Sequence, residues 1–269
     1  MISHRLFGVR IDDLEEGELE QKFDLALQGG TQLFVVTPNP EFLLQARGDQ
    51  AFHSLLNRAD ISLPDGVGLI FGIAALTDER LHHRHTGIDA LLLIAQECAK
   101  NRRRLLLIGS DEQSATLACE QLRKEFSGLE VKGLDPGRIQ GNSASMTITD
   151  TFMEHIRLFE PDAMGVALGQ GKQERFVFEV MQHIPGIRIG IGIGGTLDTL
   201  SHKRPRAPKW MRNFGLEWMW RLLIEPRRAR RIVRATVFFP ILVIWDTLKH
   251  RRFLKACRRV RLELKNLFV

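Results

Sequence analysis

Few side chains in this 269-residue chain could drive a group transfer, and they stand where apolar runs end. Asp65 lies in Leu63-Pro64-Asp65-Gly66-Val67-Gly68, between a proline that fixes the entry and a glycine that frees the exit. A carboxylate held there can act as a general base on a hydroxyl nucleophile. On residue types alone a plainer role, N-cap of a helix over Val67–Ala75, weighs more. Gly169-Gln170-Gly171-Lys172-Gln173-Glu174 and Gly192–Asp198 are glycine-rich turns ahead of helical patterns. Glycine lets a backbone approach a phosphate, and a helix start offers free N–H groups, so two such turns suggest a diphosphate. Each alone is a weak signal, because turns between strand and helix are glycine-rich for packing reasons too. There is no G-x-G-x-x-G on the first strand and no G-x-x-x-x-G-K-[ST], which disfavours dinucleotide and P-loop sites. His82-His83-Arg84-His85 invites a metal reading, but adjacent histidines do not converge on one ion, so a solvated loop is expected. No Asp-x-Asp occurs to hold Mg²⁺ on a diphosphate, so cationic side chains and helix dipoles would have to stabilise a leaving group.

Positioning these residues requires strands. Leu33–Thr37, Leu105–Gly109, Ala163–Gly169 and Ile187–Gly192 are near-continuous apolar runs, as a parallel sheet covered on both faces demands. Between them Gly87–Lys100 and Asp111–Phe126 repeat apolar residues at helical spacing, with Asp111 as an expected N-cap. This alternation predicts an α/β fold, a Rossmann-like open and mostly parallel sheet. Ligands in such sheets bind beyond the carboxyl ends of the strands. That rule gathers Thr37 and Asn39, Asp65, Gly109, Gly169 with Lys172, Gln173 and Glu174, and Gly194, Gly195 and Asp198 into one candidate site.

The charge is divided. Residues 1–200 carry −9 and residues 201–269 carry +15, within a whole-chain +6. Something anionic is expected to meet the C-terminal end. Arg204, Arg206, Lys209, Arg212, Arg221, Arg227 and Arg228 could clamp phosphates, and Trp210, Trp218 and Trp220 suit a membrane interface. Phe253, Cys257, Val260, Leu264 and Leu267 form one apolar stripe on a helix otherwise bearing Lys255, Arg258, Arg259, Arg261 and Lys265. The longest apolar run, Ala235–Trp245, is half a membrane span and contains Pro240. We therefore expect two parts: a core over 1–200 and a helical, basic, membrane-associating appendage over 201–269. Within the appendage, 201–234 would complete the active site and 235–269 would rest on lipid. Three cysteines without C-x-x-C spacing argue against a disulfide framework or a cysteine metal site, and the N-terminus has no signal-type apolar segment.

Taken together, several segments resemble the bacterial WecG/TagA/CpsF glycosyltransferases. They are Thr37-Pro38-Asn39-Pro40-Glu41, Leu63–Val67, Arg84–Asp89, Leu107–Gly109, Val166–Gly169 with Lys172-Gln173-Glu174, Ile193–Asp198, Arg206-Ala207-Pro208, and Gly215–Trp218 with Arg221, Glu225-Pro226 and Arg231. They run in the family's order over about residues 5–234. The resemblance implies an inverting, metal-independent transfer of an N-acetylmannosamine-like or other hexose from a UDP-sugar to a polyprenyl-diphosphate-linked sugar. It needs no cofactor, and it places the enzyme peripherally on the cytoplasmic face of the bacterial inner membrane, in cell-surface polysaccharide synthesis. By the same resemblance Asp65 is the base, Thr37 and Asn39 are pocket residues, Arg84 and Gln173 contact sugar or diphosphate, and Arg212, Arg221 and Arg228 neutralise diphosphate. Two departures stand out. Gly171 replaces the family's usual proline, which would loosen the turn, and His83 replaces an acid before Arg84. The chain also runs past the usual family end.

Two other classes compete: an α/β module whose basic tail binds nucleic acid, and an NAD-type Rossmann enzyme. The apolar run beside the basic helix favours an anionic lipid surface over nucleic acid, and the missing fingerprint disfavours NAD. A homo-oligomer is left open.

Overall fold

The computed structural model describes residues 2–109, 112–137, 139–201, 203, 205–208, 210–211, 216–225 and 229–267, the side chains of residues 112, 230 and 267 excepted. Asp111, Arg204, Lys209, Arg212, Arg227 and Arg228 therefore lie outside the described residues. An antiparallel hairpin opens the chain, β1 (Ile2–Leu6) and β2 (Val9–Asp13), turned by Phe7 and Gly8 with φ of 50° and 81°. Two positive φ values match the right-handed strand twist that tight hairpins need.

Six strands build the main sheet: β3 (Leu33–Val36), β4 (Ile61–Ser62), β5 (Arg104–Gly109), β6 (Glu130–Leu134), then β9 (Ala163–Ala167) and β10 (Ile189–Gly192) after a small ribbon of β7 (Gln140–Gly141) and β8 (Met146–Thr147). All six pair in parallel, in the order β4-β3-β10-β9-β5-β6. Among the described residues nine helices lie between and after the strands: α1 (Glu16–Leu27), α2 (Pro40–Gly48), α3 (Gln50–Leu56), α4 (Val67–Leu76), α5 (Gly87–Lys100), α6 (Glu112–Glu125), α7 (Asp150–Phe159), α8 (Lys172–His183) and α9 (Thr196–Leu200). Strand residues alternate between two buried cores. Leu105, Leu107 and Ile191 meet Leu91 and Ile94 of α5 on one face, while Leu106, Ile108 and Val166 meet Phe176 and Val177 of α8 on the other. Such double coverage explains why the strands read as unbroken apolar runs. The expected α/β fold with a parallel sheet is what the chain forms.

Beyond α9 the described residues from 217 onward are mostly helical: α10 (Glu217–Ile224), α11 (Ala229–Val233), a π-helical turn (Arg234–Phe238), α12 (Phe239–Lys249) and α13 (Phe253–Leu267). Pro240, which has no N–H to donate, comes just after the π turn inside a helical run that continues through it. The Phe239 N–H reaches the Arg234 carbonyl, five residues back. Phe239 and Val243 are buried, and Phe239 packs edge-on against Phe7.

Of the stripe on α13, Phe253, Cys257, Val260 and Leu264 line an open groove over α4, while the side chain of Leu267 lies outside the described residues. Two of the helix's cations also face the core: Lys255 and Arg259 pair with Asp78 at 2.6 and 2.9 Å, and Arg80 pairs with Glu263 at 3.0 Å. No helix among the described residues is long and apolar enough to cross a membrane.

Candidate active site

Three central strands, β3, β9 and β10, end at one edge, and the turns that follow them form one wall of a cavity of about 310 Å³. Thr37 closes β3 and is buried, its hydroxyl donating to the Gly192 carbonyl at 3.4 Å. Asn39 caps α2, its side-chain oxygen accepting the Glu41 and Phe42 N–H groups at 2.9 and 3.0 Å. That leaves its NH₂ to donate into the cavity it lines. The Asp65 N–H donates to the Pro38 carbonyl at 2.8 Å, which draws Asp65 beside Asn39.

Asp65 does not cap α4. The cap position belongs to Gly66, at φ 90°, and no side chain bonds there. The favoured helix-cap role is thereby overturned, and the half-buried carboxylate lines the cavity instead. Removal from water pushes the Asp65 carboxyl up to about 6, with Arg221 opposing, Glu217 reinforcing, Arg84 opposing and Asp89 reinforcing.

The histidine cluster is stitched to the hairpin. The Asp13 carboxylate accepts the His82 and His83 N–H groups, both at 2.9 Å, and the His83 ring at 2.8 Å. Burial works to raise its affinity for protons, yet these bonds hold it below the usual carboxylate range. His85 is buried, its N–H bonded to the Pro64 carbonyl at 3.1 Å and its Nε2 to the Leu14 carbonyl at 2.8 Å. The segment is thus an anchored strap, not the solvated loop expected, and it holds Arg84 opposite Asp65.

Behind the β9 and β10 turns lies a buried relay. Gln173 Nε2 donates to Glu174 at 2.6 Å, the Gly171 N–H donates to the other Glu174 oxygen at 2.6 Å, and the Gly194 N–H donates to Gln173 Oε1 at 3.1 Å. Glu174 is fully buried, and burial pushes it up to about 7. The Gly171 N–H that an anion would have used is therefore taken by the chain's own Glu174. Gly171 adopts φ 84°, which proline, fixed near −65°, cannot reach. With its N–H held by Glu174, the turn is tight where the sequence suggested looseness. A Cβ on Gly192 would stand 2.7 Å from Glu174 Oε1 and 2.8 Å from Gln173 Nε2, so only glycine admits this pair against β10.

The expected residues divide accordingly. Thr37, Asn39, Asp65, Gly169, Gln173, Gly194, Gly195, Asp198 and Arg221 line the cavity. Arg84 lines a second, apolar cavity of about 680 Å³ that shares Asn39, Asp65, Glu217, Arg221 and Arg231 with the first. Gly109, Lys172 and Glu174 lie outside both linings, the first closing β5 and the last supporting Gln173 from behind. Ser114 was not singled out from the sequence as a site residue, and Gln170, Glu217 and Arg231 figured there only within motifs. Arg231 Nε meets both Glu41 oxygens at 2.9 and 3.0 Å, tying α11 to α2. Arg221 pairs with Glu217 at 3.5 Å, and Arg206 with Asp89 at 2.6 Å. Arg206 is thus partly spent on a carboxylate rather than free for phosphate.

A parallel α/β sheet with a carboxylate and several cations at its strand ends is the layout of a group-transfer enzyme. Residues 4–253 match the Glycosyl transferase WecG/TagA/CpsF family, and the chain belongs to that family. Among similar curated proteins is an N-acetylglucosaminyldiphosphoundecaprenol N-acetyl-beta-D-mannosaminyltransferase of Bacillus spizizenii, 29% identical over 219 residues, 81% of this chain and 80% of that one. Proteins of the same name from Bacillus subtilis and Staphylococcus aureus are each 28% identical, over 83% and 87% of this chain and 80% and 89% of theirs. The chain is a hexosyltransferase by this kinship.

Proposed function

We propose that the enzyme moves an N-acetylmannosamine-like hexose from a UDP-sugar onto a sugar carried by polyprenyl diphosphate, inverting the anomeric carbon without a metal. The observation that carries this reading is the position of Asp65, which belongs at once to the polar cavity and to the cation-flanked mouth of the apolar one. Asp65 takes the proton of an acceptor hydroxyl as that oxygen bonds to C1 of the donor. The C1–phosphate oxygen bond breaks on the opposite face, and its electron pair leaves on UDP. A carboxylate raised to about 6 is a stronger base than an ordinary aspartate and is still ionised at neutral pH. Gln173 and the Asn39 amide supply neutral donors, while Arg84, Arg221 and Arg231 supply charge for diphosphate.

The two-part organisation belongs to this reading: residues 1–200 form the catalytic core, 201–234 finish the site, and 235–269 meet an anionic membrane. Glu217, Arg221 and Arg231 in the cavity walls support the second part. For the third, α12 is apolar on both sides. Phe239 and Val243 face the core, while Ile241, Ile244, Trp245 and Leu248 are 46–68% exposed. A surface helix apolar all round needs a second apolar neighbour, and Lys249, Arg251, Arg252 and Arg258 beside it suit anionic headgroups. On this reading the enzyme works peripherally, at the cytoplasmic leaflet.

The direct test offers a panel of UDP-hexoses with an N-acetylglucosaminyl-diphosphate lipid and reads the product's anomeric configuration. Transfer with inversion is expected, undiminished by a chelator. Retention, or near-normal turnover by Asp65→Asn, would sink the mechanism.

A further inference from the structure

At the Asp65 end of the larger cavity stand Arg84, Arg221 and Arg231, the last two paired with Glu217 and Glu41; beyond them its walls are mainly hydrocarbon, interrupted by Thr236 and Thr247. Val67 and Phe71 come from α4, Val243 and Ile244 from α12, and Val260 and Leu264 from α13. We propose that this groove holds the first isoprene units of the acceptor's lipid chain, so that the enzyme grips the tail as well as the diphosphate and sugar. The inference rests on the transfer proposed above.

Three observations carry it. Cations followed by hydrocarbon is the order of chemistry that an amphiphile with a diphosphate head and an apolar chain presents. The volume, about 680 Å³, is that of a ligand pocket rather than a packing flaw. The groove's outer wall also comes from α12 and α13, and α12 turns Ile241, Trp245 and Leu248 outward, so groove and exposed apolar surface are two sides of one segment. A lipid drawn from a membrane beside α12 could pass its head to Asp65 without its chain crossing water, where exposing hydrocarbon is costly. Almost all of α13 lies past residue 253, where the family match ends, whereas α12 lies within it.

Cys257 makes the groove readable. It lines the wall and is exposed, whereas Cys98 and Cys119 are buried, so a maleimide reports on Cys257 alone. Farnesyl diphosphate, used as the probe at saturating concentration, should slow Cys257 alkylation at least about fivefold, and inorganic diphosphate should not. Cys257→Trp should raise KM about tenfold more for an acceptor with a farnesyl tail than for one of the same head with a methyl tail, and an equal change for both would overturn the proposal. Cys257→Ser should take up no maleimide, which assigns the alkylation to Cys257. Unprotected Cys257, with normal transfer to the methyl acceptor, would end the groove assignment and leave the reaction standing. Protected Cys257, with no transfer to either acceptor, would end the reaction and leave the groove. Slowing that follows protein concentration without lipid would give the groove to a second copy and overturn the proposal.

Discussion

The two walls of the cavity are built by opposite means. On the strand-end wall the Thr37, Asn39 and Gln173 side chains bond to backbone, Thr37 to Gly192, Asn39 to the start of α2 and Gln173 to Gly194 with Glu174 behind it, and the Asp65 N–H bonds to the Pro38 carbonyl. The helical wall carries ion pairs near the surface, Arg231 with Glu41 across to α2 and Arg221 with Glu217 within α10, whose arginines are 48% and 47% exposed. Buried networks are costly to disturb and hold one geometry, while exposed ion pairs contribute only about 0–1 kcal/mol and break easily. On the proposed reading, the general base and neutral donors sit on a rigid frame and the diphosphate-facing charges on a wall that can yield. Damage to the first should appear in turnover and stability, damage to the second in acceptor affinity.

That contrast can be broken in four ways. The largest effect is expected of Asp65→Asn, which should lower kcat by about 10²–10⁴-fold with UDP affinity kept. In the wild type, kcat/KM should fall tenfold per pH unit below about 6, because the base is protonated there; stopped assays across pH 4.5–8 check the limb. Next comes Glu174. Its native affinity for a proton is raised from an ordinary 4.5 to about 7, so its contribution to stability is complete below about 4.5 and is lost as pH rises through 7, by about 3 kcal/mol. Calorimetry should show the wild-type Tm falling, relative to Glu174→Gln, between pH 5 and pH 8; parallel curves would refute a buried titrating Glu174. Third, Ile241→Glu with Trp245→Glu should cut sedimentation with anionic vesicles about tenfold at unchanged Tm, since both side chains are more than half exposed. Removing residues 234–269 outright would be a poorer test, because it strips Phe239 from the core. The smallest effect belongs to Arg231→Gln, a roughly threefold rise in acceptor KM that high salt erases in the wild type. A large loss of Tm there would mean that the helical wall is as rigid as the other.

Periodicity made the sheet and its helices readable. Leu33–Thr37 ends one residue past β3, and Gly87–Lys100 coincides with α5, because apolar runs and capping residues are local signals. The cluster at the strand ends was equally legible, since ligand position follows from a parallel sheet. What the sequence hid depended on chain returning from afar. Glu217 and Arg231 face Asp65 and Glu41 only after some 150 to 190 intervening residues have folded. The stripe of α13 was visible, but not that α4 would lie beneath it. Asp65 itself was misjudged as a cap because Gly66 at φ 90° turns the chain before the helix begins, a conformation no pattern of polar residues announces.

The π turn at Arg234–Phe238 sets the phase of everything after it. Such a turn holds one residue more than the α-helix would, and one residue is about 100° of rotation. Wound as unbroken α-helix, the same residues would carry α12 about 100° further round its axis and take Phe239 away from Phe7. A single surplus residue thus decides which oily side of the helix is kept and which is shown.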